Sequence, residues 1–93
     1  MKYRFEWSHE KAKSNLVKHG VSFEEAKSVL DDPLAYIFED EVHSSVERRE
    51  IIIGHSIAKR LLLVVFTERF NKIRIISTRL ATKKESKDYE ENI

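Results

Sequence analysis

Lys18 and His19 stand side by side just before Gly20, where one helix-forming run ends and another begins. A helix C-terminus attracts positive charge, and an imidazole gains or loses a proton near neutral pH. A lysine and a histidine there suit chemistry on an anion, with the histidine moving a proton. The same pair suits ordinary capping, with His19 bonded to the last carbonyls and Lys18 solvated. Position alone leaves both readings open. Arg48, Arg49, Arg69, Arg74 and Arg79 extend the anion theme, because a guanidinium stays charged and grips phosphate through two oxygens at once. Arg79 follows a strand end and precedes a helix start, where backbone N–H groups also point outward. Any single arginine is more often a surface ion-pair member, and spacing does not show whether several converge.

Other chemistries find less support. Tyr3 and Trp7 share a face of the first strand, with Phe5 between them in sequence. Aromatic rings stack on unpaired bases, but core packing is their commoner use. His9, His43 and His55 lack H-x-x-x-H spacing and no cysteine accompanies them, so neither a zinc site nor a disulfide is expected. There is no phosphate-binding glycine loop and no G-x-S-x-G elbow. The Asp31 and Asp32 pair is a weak magnesium signal, since such pairs are usually solvated. No metal and no cofactor is expected.

The elements that must carry these residues can be read from period and punctuation. Tyr3 to Trp7 alternates as a short strand. Ser8 can cap a helix over about 9–19, with Ala12 and Leu16 as its apolar stripe and His19 at the stripe's edge. Lys11, Asn15 and Lys18 then fall on its polar side. Gly20 suits the left-handed position after the helix. Ser22 and Glu25 form a capping box that opens a second helix to about Leu30, stopped by Asp32 and Pro33. Leu34–Phe38 reads as a strand and 39–47 as an acidic loop. Arg49–Gly54, Arg60–Thr67 and Lys72–Thr78 read as strands joined by short turns, hence antiparallel. Leu61 to Phe66 is apolar on both faces, as in a central strand covered on both sides. Ile73, Ile75 and Ser77 are expected on one face and Arg74 and Ile76 on the other. Thr82 and Glu85 form another capping box and open a C-terminal helix that only Ala81, Tyr89 and Ile93 could dock. So thin a stripe predicts a mobile helix or one that packs on a partner. The fold class is α+β, one domain over 1–93, with two N-terminal helices packed on an antiparallel sheet and a helix at the end.

Bulk numbers agree with a globular chain. Apolar residues make up 41% and charged residues 35%, which excludes a disordered polyelectrolyte. No apolar leader and no run of membrane-spanning length is present, so the expected location is the cytoplasm and no membrane is implied. The net charge of +1 conceals an asymmetry. Residues 31–50 carry seven acids against Arg48 and Arg49, and residues 59–84 carry eight bases against Glu68. A basic half favours a polyanionic partner, although two oppositely charged faces that attract each other would look the same.

The chain also resembles a known family. Phe5, Glu6, Trp7, Lys11, Asn15, Lys18, His19, Gly20, Val21, Phe23, Glu25 and Ala26 resemble the opening of BrnT-type toxins. Later signposts keep the same order and spacing: Asp40, His43, Glu47, Arg49, Gly54, Val65, Thr67, Glu68 and Arg69, then Ile73 to Ser77, Arg79, Ala81, Glu85 and Tyr89. Two departures are Ser8, where the family usually has an acid, and Ser86, where an arginine often follows the glutamate. The resemblance implies a RelE-like fold and a metal-independent endoribonuclease toxin that cleaves mRNA, leaves a 2′,3′-cyclic phosphate and arrests translation. It implies neutralisation by a BrnA-type antitoxin with a ribbon-helix-helix domain, and contact with operator DNA only through that antitoxin. A homodimer, or a heterotetramer with the antitoxin, is the assembly it suggests. On this reading proton transfer and phosphate contacts are expected of Lys18, His19, Glu47, Arg49, Arg69 and Arg79, and RNA binding of Trp7, Lys11, Arg74 and Lys83. Glu47 is read there as a base or as a partner that orients Arg49. Two other readings fit the same residues: a non-catalytic protein-binding module, and a ParE-like toxin that inhibits gyrase.

Overall fold

Ser8 and Ser22 each accept a bond from the backbone N–H three residues on, those of Lys11 and Glu25, at 3.3 and 3.0 Å. These caps open α1 (His9–His19) and α2 (Phe23–Ser28). The computed structural model describes residues 3–43 and 47–92. Between the helices Gly20 takes φ 68° and ψ 21°, and its N–H bonds to the Leu16 carbonyl at 2.8 Å. That left-handed geometry costs a side-chain-bearing residue about 1–2 kcal/mol, which is why glycine suits the turn. The second helix is shorter than its sequence suggests. It ends at Ser28, and a 3-10 turn over Val29–Asp31 carries the chain to Asp32. The Asp32 carboxylate then accepts from the Leu34 N–H at 2.9 Å and turns the chain.

Five strands form one sheet: β1 (Arg4–Glu6), β2 (Tyr36–Glu39), β3 (Glu50–His55), β4 (Leu61–Arg69) and β5 (Lys72–Leu80), in the order β1-β5-β4-β3-β2. β4 lies at the centre, as its two-sided apolar run requires. Successive strands from β2 to β5 pair antiparallel. β1, however, pairs with β5 in parallel, Phe5 opposite Ile73, so the sheet is mixed rather than antiparallel. No turn joins β1 to β5, so hairpin geometry has no say in their direction. The acidic stretch after β2 begins with a 3-10 turn over Glu41–His43; residues 44–46 of the expected loop lie outside the described residues.

The two faces of the sheet are covered differently. Val21, Phe23, Ala26 and Val29 seal one face over Ile52, Leu62, Val64, Phe66, Ile73 and Ile75. Each of these side chains except Ala26 contributes about 1.5–3 kcal/mol when fully buried. The other face carries a smaller cluster of Ile53, Leu63 and Tyr89, the last brought by α3 (Lys83–Glu91). Polar contacts supplement that thin stripe. The Tyr89 hydroxyl donates to Asp32 at 2.9 Å and lies 3.2 Å from His55 Nδ1. Burial, and then the Asp32 carboxylate, push the Tyr89 hydroxyl up to about 12, so it keeps its proton and remains a donor. The helix expected to be mobile or to need a partner therefore docks on its own sheet. Ile93, expected among its anchors, lies outside the described residues. Among the described residues no helix is long and apolar enough to cross a membrane.

Candidate active site

An unexpected residue sets the position of α1. Leu16, assigned to the apolar stripe, is 51% exposed, whereas Asn15, assigned to the polar side, is 7% exposed. The reason lies in the sheet. β1 pairs with β5 only through Lys72–Arg74, so the edge of β5 beyond that point has no strand beside it. The Asn15 amide fills that role. It donates to the Thr78 carbonyl at 2.8 Å and to the Val21 carbonyl at 3.0 Å, and accepts from the Thr78 N–H at 3.1 Å. A buried strand edge needs hydrogen-bonding partners that leucine cannot supply. Arg60 braces the same junction from the other side. It donates to both Glu25 oxygens and, at 3.2 Å, to the Gly20 carbonyl, while Ser56 donates to Glu25 at 2.6 Å. The Arg60 bond holds the Glu25 carboxyl below its ordinary range despite its burial.

His19 lies one helical turn beyond Asn15 and so follows it toward β5. It lines an open groove of about 590 Å³ on the sheet face that α1 and α2 leave uncovered. Phe38, Ile51, Leu63 and Val65 form the floor, with Ile76, Ser77 and Thr78 along one side. Asp40, Val42 and His43 enter after β2, Arg49 just before β3, and Arg79 with Glu85 where β5 leads into α3.

A β-bulge brings these arginines to one face. Arg74 and Arg79 are five residues apart, which in a regular strand places them on opposite faces. The register shifts between Val65 and Phe66, so that Phe66 faces Ile75 while Val65 faces Ser77. Ile76 is the extra residue. Ser77 and Arg79 consequently join Arg74 on the groove face, instead of Ser77 following Ile73 and Ile75 into the core.

The charged groups are held by partners. Arg79 bonds Glu85 through both terminal nitrogens, at 2.8 and 2.9 Å. That contact holds the Glu85 carboxyl below its ordinary range and raises Arg79 further, against the opposing effect of burial. Glu47 is bound by Arg69 at 2.5 Å, which lowers its carboxyl, and the charges of Arg49 and Arg74 add to the effect. Glu47 thus bonds Arg69. Arg74 lies 3.4 Å from Glu6.

Other residues singled out in the sequence lie elsewhere. Lys18 borders a shallow outer surface with Glu10, Lys13, Ser14 and Val17 and does not line the groove, because adjacent helical residues diverge by about 100°. Lys11 and Lys83 are exposed on helices α1 and α3. Trp7 packs edge-to-face on Phe23, ring centres 5.9 Å apart, against the helix-covered core. Conversely, Asp40 and His43 line the groove although sequence reasoning gave them no role there. Their three-residue separation was the available signal. Among the described residues no group of three or more histidines or carboxylates could hold a metal ion.

The Glu85 pair has a pH consequence. A carboxyl whose folded value is lowered stabilises the fold above its unfolded value, and that stability is lost as pH falls through the folded value. Acidification below about pH 4.5 is therefore expected to weaken the tie between β5 and α3. Melting temperatures followed from about pH 6 to pH 3 should fall less steeply for Glu85→Gln than for the parent chain.

A small α+β protein with a groove of imidazole and guanidinium groups on its open sheet face is equipped to meet an anion. Residues 7–85 match the model of a family described as the ribonuclease toxin, BrnT, of type II toxin–antitoxin systems. The chain belongs to this family of ribonuclease toxins. It is similar to the crystal structure of the Brucella abortus ribonuclease toxin BrnT, with a TM-score of 0.67, 22% identity, and coverage of 88% of this chain and 100% of that one. At that identity the likeness shows a shared fold. No curated protein sequence matches the chain. Membership makes the protein the toxin half of a pair, with an antitoxin as partner.

Proposed function

We propose that the groove is the RNA-cleaving site of a metal-independent endoribonuclease that acts on mRNA and arrests translation. The observation that carries this reading is the meeting of His19, Arg49 and Arg79 in one groove, with Arg69 and Arg74 on the same face. The ribose 2′-OH attacks the adjacent phosphorus, the bond to the 5′-oxygen breaks, and a 2′,3′-cyclic phosphate remains. His19 gives or takes a proton in this step. Arg49 and Arg79 offset the charge that builds on the phosphorane. Arg79 is held by Glu85, so its charge is fixed before substrate arrives, which is the condition under which such stabilisation is largest. Glu47, bonded to Arg69, orients that guanidinium in this reading.

Outside the groove, Lys11, Lys18, Lys83 and Arg74 supply charge along which the RNA backbone can run. Trp7 supports this surface from the core. The reading includes a RelE-like arrangement of the helices, a cytoplasmic location, and neutralisation by a BrnA-type antitoxin whose ribbon-helix-helix domain contacts operator DNA. Purified toxin is expected to cleave RNA equally well in EDTA and in magnesium, and to leave ends that only a cyclic-phosphate-opening enzyme converts to a monophosphate. Cleavage that stops in EDTA, or ends bearing a 5′-phosphate, would refute the mechanism.

A further inference from the structure

We propose that His43 is a second proton-transfer residue of the RNA-cleaving site, held for that task by Asp40. This rests on the reading of the groove as that site. Two histidines line it: His19 at the end of α1, and His43 at the end of the 3-10 turn after β2. His43 Nδ1 lies 3.3 and 3.1 Å from the two Asp40 carboxylate oxygens. The Asp40 side chain is 11% exposed and that of His43 is 64% exposed. The carboxylate is thus embedded and the imidazole stands out from it. A carboxylate on Nδ1 fixes the ring's orientation and leaves Nε2 as the reacting nitrogen. The Asp40 N–H also donates to the Arg49 carbonyl at 2.9 Å, which ties this pair to the strand that carries a phosphate-binding arginine. Arg79 and Glu85, bonded to each other, are the charged groups across the groove.

The chemistry calls for two such groups. As the bond from the 2′-oxygen to phosphorus forms and the bond from phosphorus to the 5′-oxygen breaks, one group takes the 2′-hydroxyl proton. Another delivers a proton to the departing 5′-oxygen, on the far side of an in-line displacement. The products are a 2′,3′-cyclic phosphate and a 5′-hydroxyl. The proton count is unchanged, and the two imidazoles finish with exchanged protonation states that solvent resets. A single imidazole cannot stand on both sides of the phosphorus at once. His19 and His43 enter the groove from different elements, and together they supply both positions.

The test uses the purified full-length toxin under single-turnover conditions, with a synthetic RNA spanning one mapped cleavage site. His43→Ala and His43→Gln are each expected to slow cleavage by about 10²–10⁴-fold, with the parent melting temperature retained. A second RNA carries sulfur in place of the bridging 5′-oxygen at that site. A thiolate departs without protonation, so this substrate restores the variant that has lost the acid and not the one that has lost the base. The expected result is rescue of one of His19→Ala and His43→Ala and not of the other. His43→Ala cleaving ordinary RNA at the parent rate would overturn the proposal, as would rescue of both variants or of neither. Asp40→Asn should lower the rate at saturation without changing the half-saturating RNA concentration, and Asp40→Glu should recover part of it. A change in binding alone would remove Asp40 from the positioning role. Parent rates for both His19→Ala and Arg49→Ala would defeat the reading of the groove itself. Slow cleavage by those two, with His43→Ala unaffected, would defeat only the second histidine.

Discussion

Replacing His19 with alanine is expected to slow RNA cleavage by about 10²–10⁴-fold while leaving the melting temperature close to that of the parent chain. The side chain is exposed and lines the groove, so its removal deletes the proposed proton-transfer group without opening a cavity in the core. The measurement is single-turnover cleavage alongside thermal unfolding of the same samples. Lys18→Ala makes the informative control. Lys18 precedes His19 in the chain, yet it borders the outer surface of α1, so its loss should weaken RNA binding and spare the rate at saturation. Equal losses in the two variants would mean that their shared place at the helix end matters more than the groove. Parent-like cleavage by His19→Ala would remove this residue from the chemistry altogether.

The second large effect is on the fold, and through it on the site. Asn15→Ala is expected to destabilise the protein by about 2–4 kcal/mol, because the buried Thr78 N–H and the Thr78 and Val21 carbonyls lose their partner together. In a domain of this size that lowers the melting temperature by roughly 10–20 °C. Asn15→Asp keeps an acceptor for the Thr78 N–H but turns a carboxylate toward two carbonyl oxygens. It should therefore be no better than alanine at neutral pH. Thermal unfolding of the two variants decides the matter. A shift of only a degree or two in both would show that water replaces the amide at no cost and that the edge of β5 does not depend on it. Cleavage should fall as well, even at temperatures where the variants remain folded. His19 reaches the groove by following Asn15 around the helix, and loss of the anchor frees the last turn of α1.

Much of the framework was legible in local chemistry. Ser8, Ser22 and Thr82 cap the helices they were expected to cap. Gly20 takes the left-handed turn, and β4 is central as its two-sided apolar run demands. These features depend on residues within a turn or a strand of one another, where steric and hydrogen-bonding rules act directly. The parallel pairing of β1 was not legible, because the partners lie some seventy residues apart and share no turn. The docking of α3 was also hidden. It depends on Tyr89 meeting Asp32 and His55, and on Arg79 meeting Glu85, which are polar contacts that a count of apolar residues misses.

The site divides along the same line. The sequence by itself determined that His19 would end a helix beside a glycine, that the second half of the chain would be rich in arginine, and that residues 7–85 would carry a ribonuclease toxin pattern. Tertiary structure decided which of those residues meet. A single bulge at Ile76 moves Arg79 onto the face of Arg74, a change of one residue in register that periodicity cannot foresee. The unpaired edge of β5 draws in Asn15 and turns His19 to the groove and Lys18 away from it. The close of β2 brings Asp40 and His43 to the same floor. Local rules act over one turn of helix or one strand, whereas convergence is set by register and by the satisfaction of buried backbone groups, and both come into being only when distant segments pair.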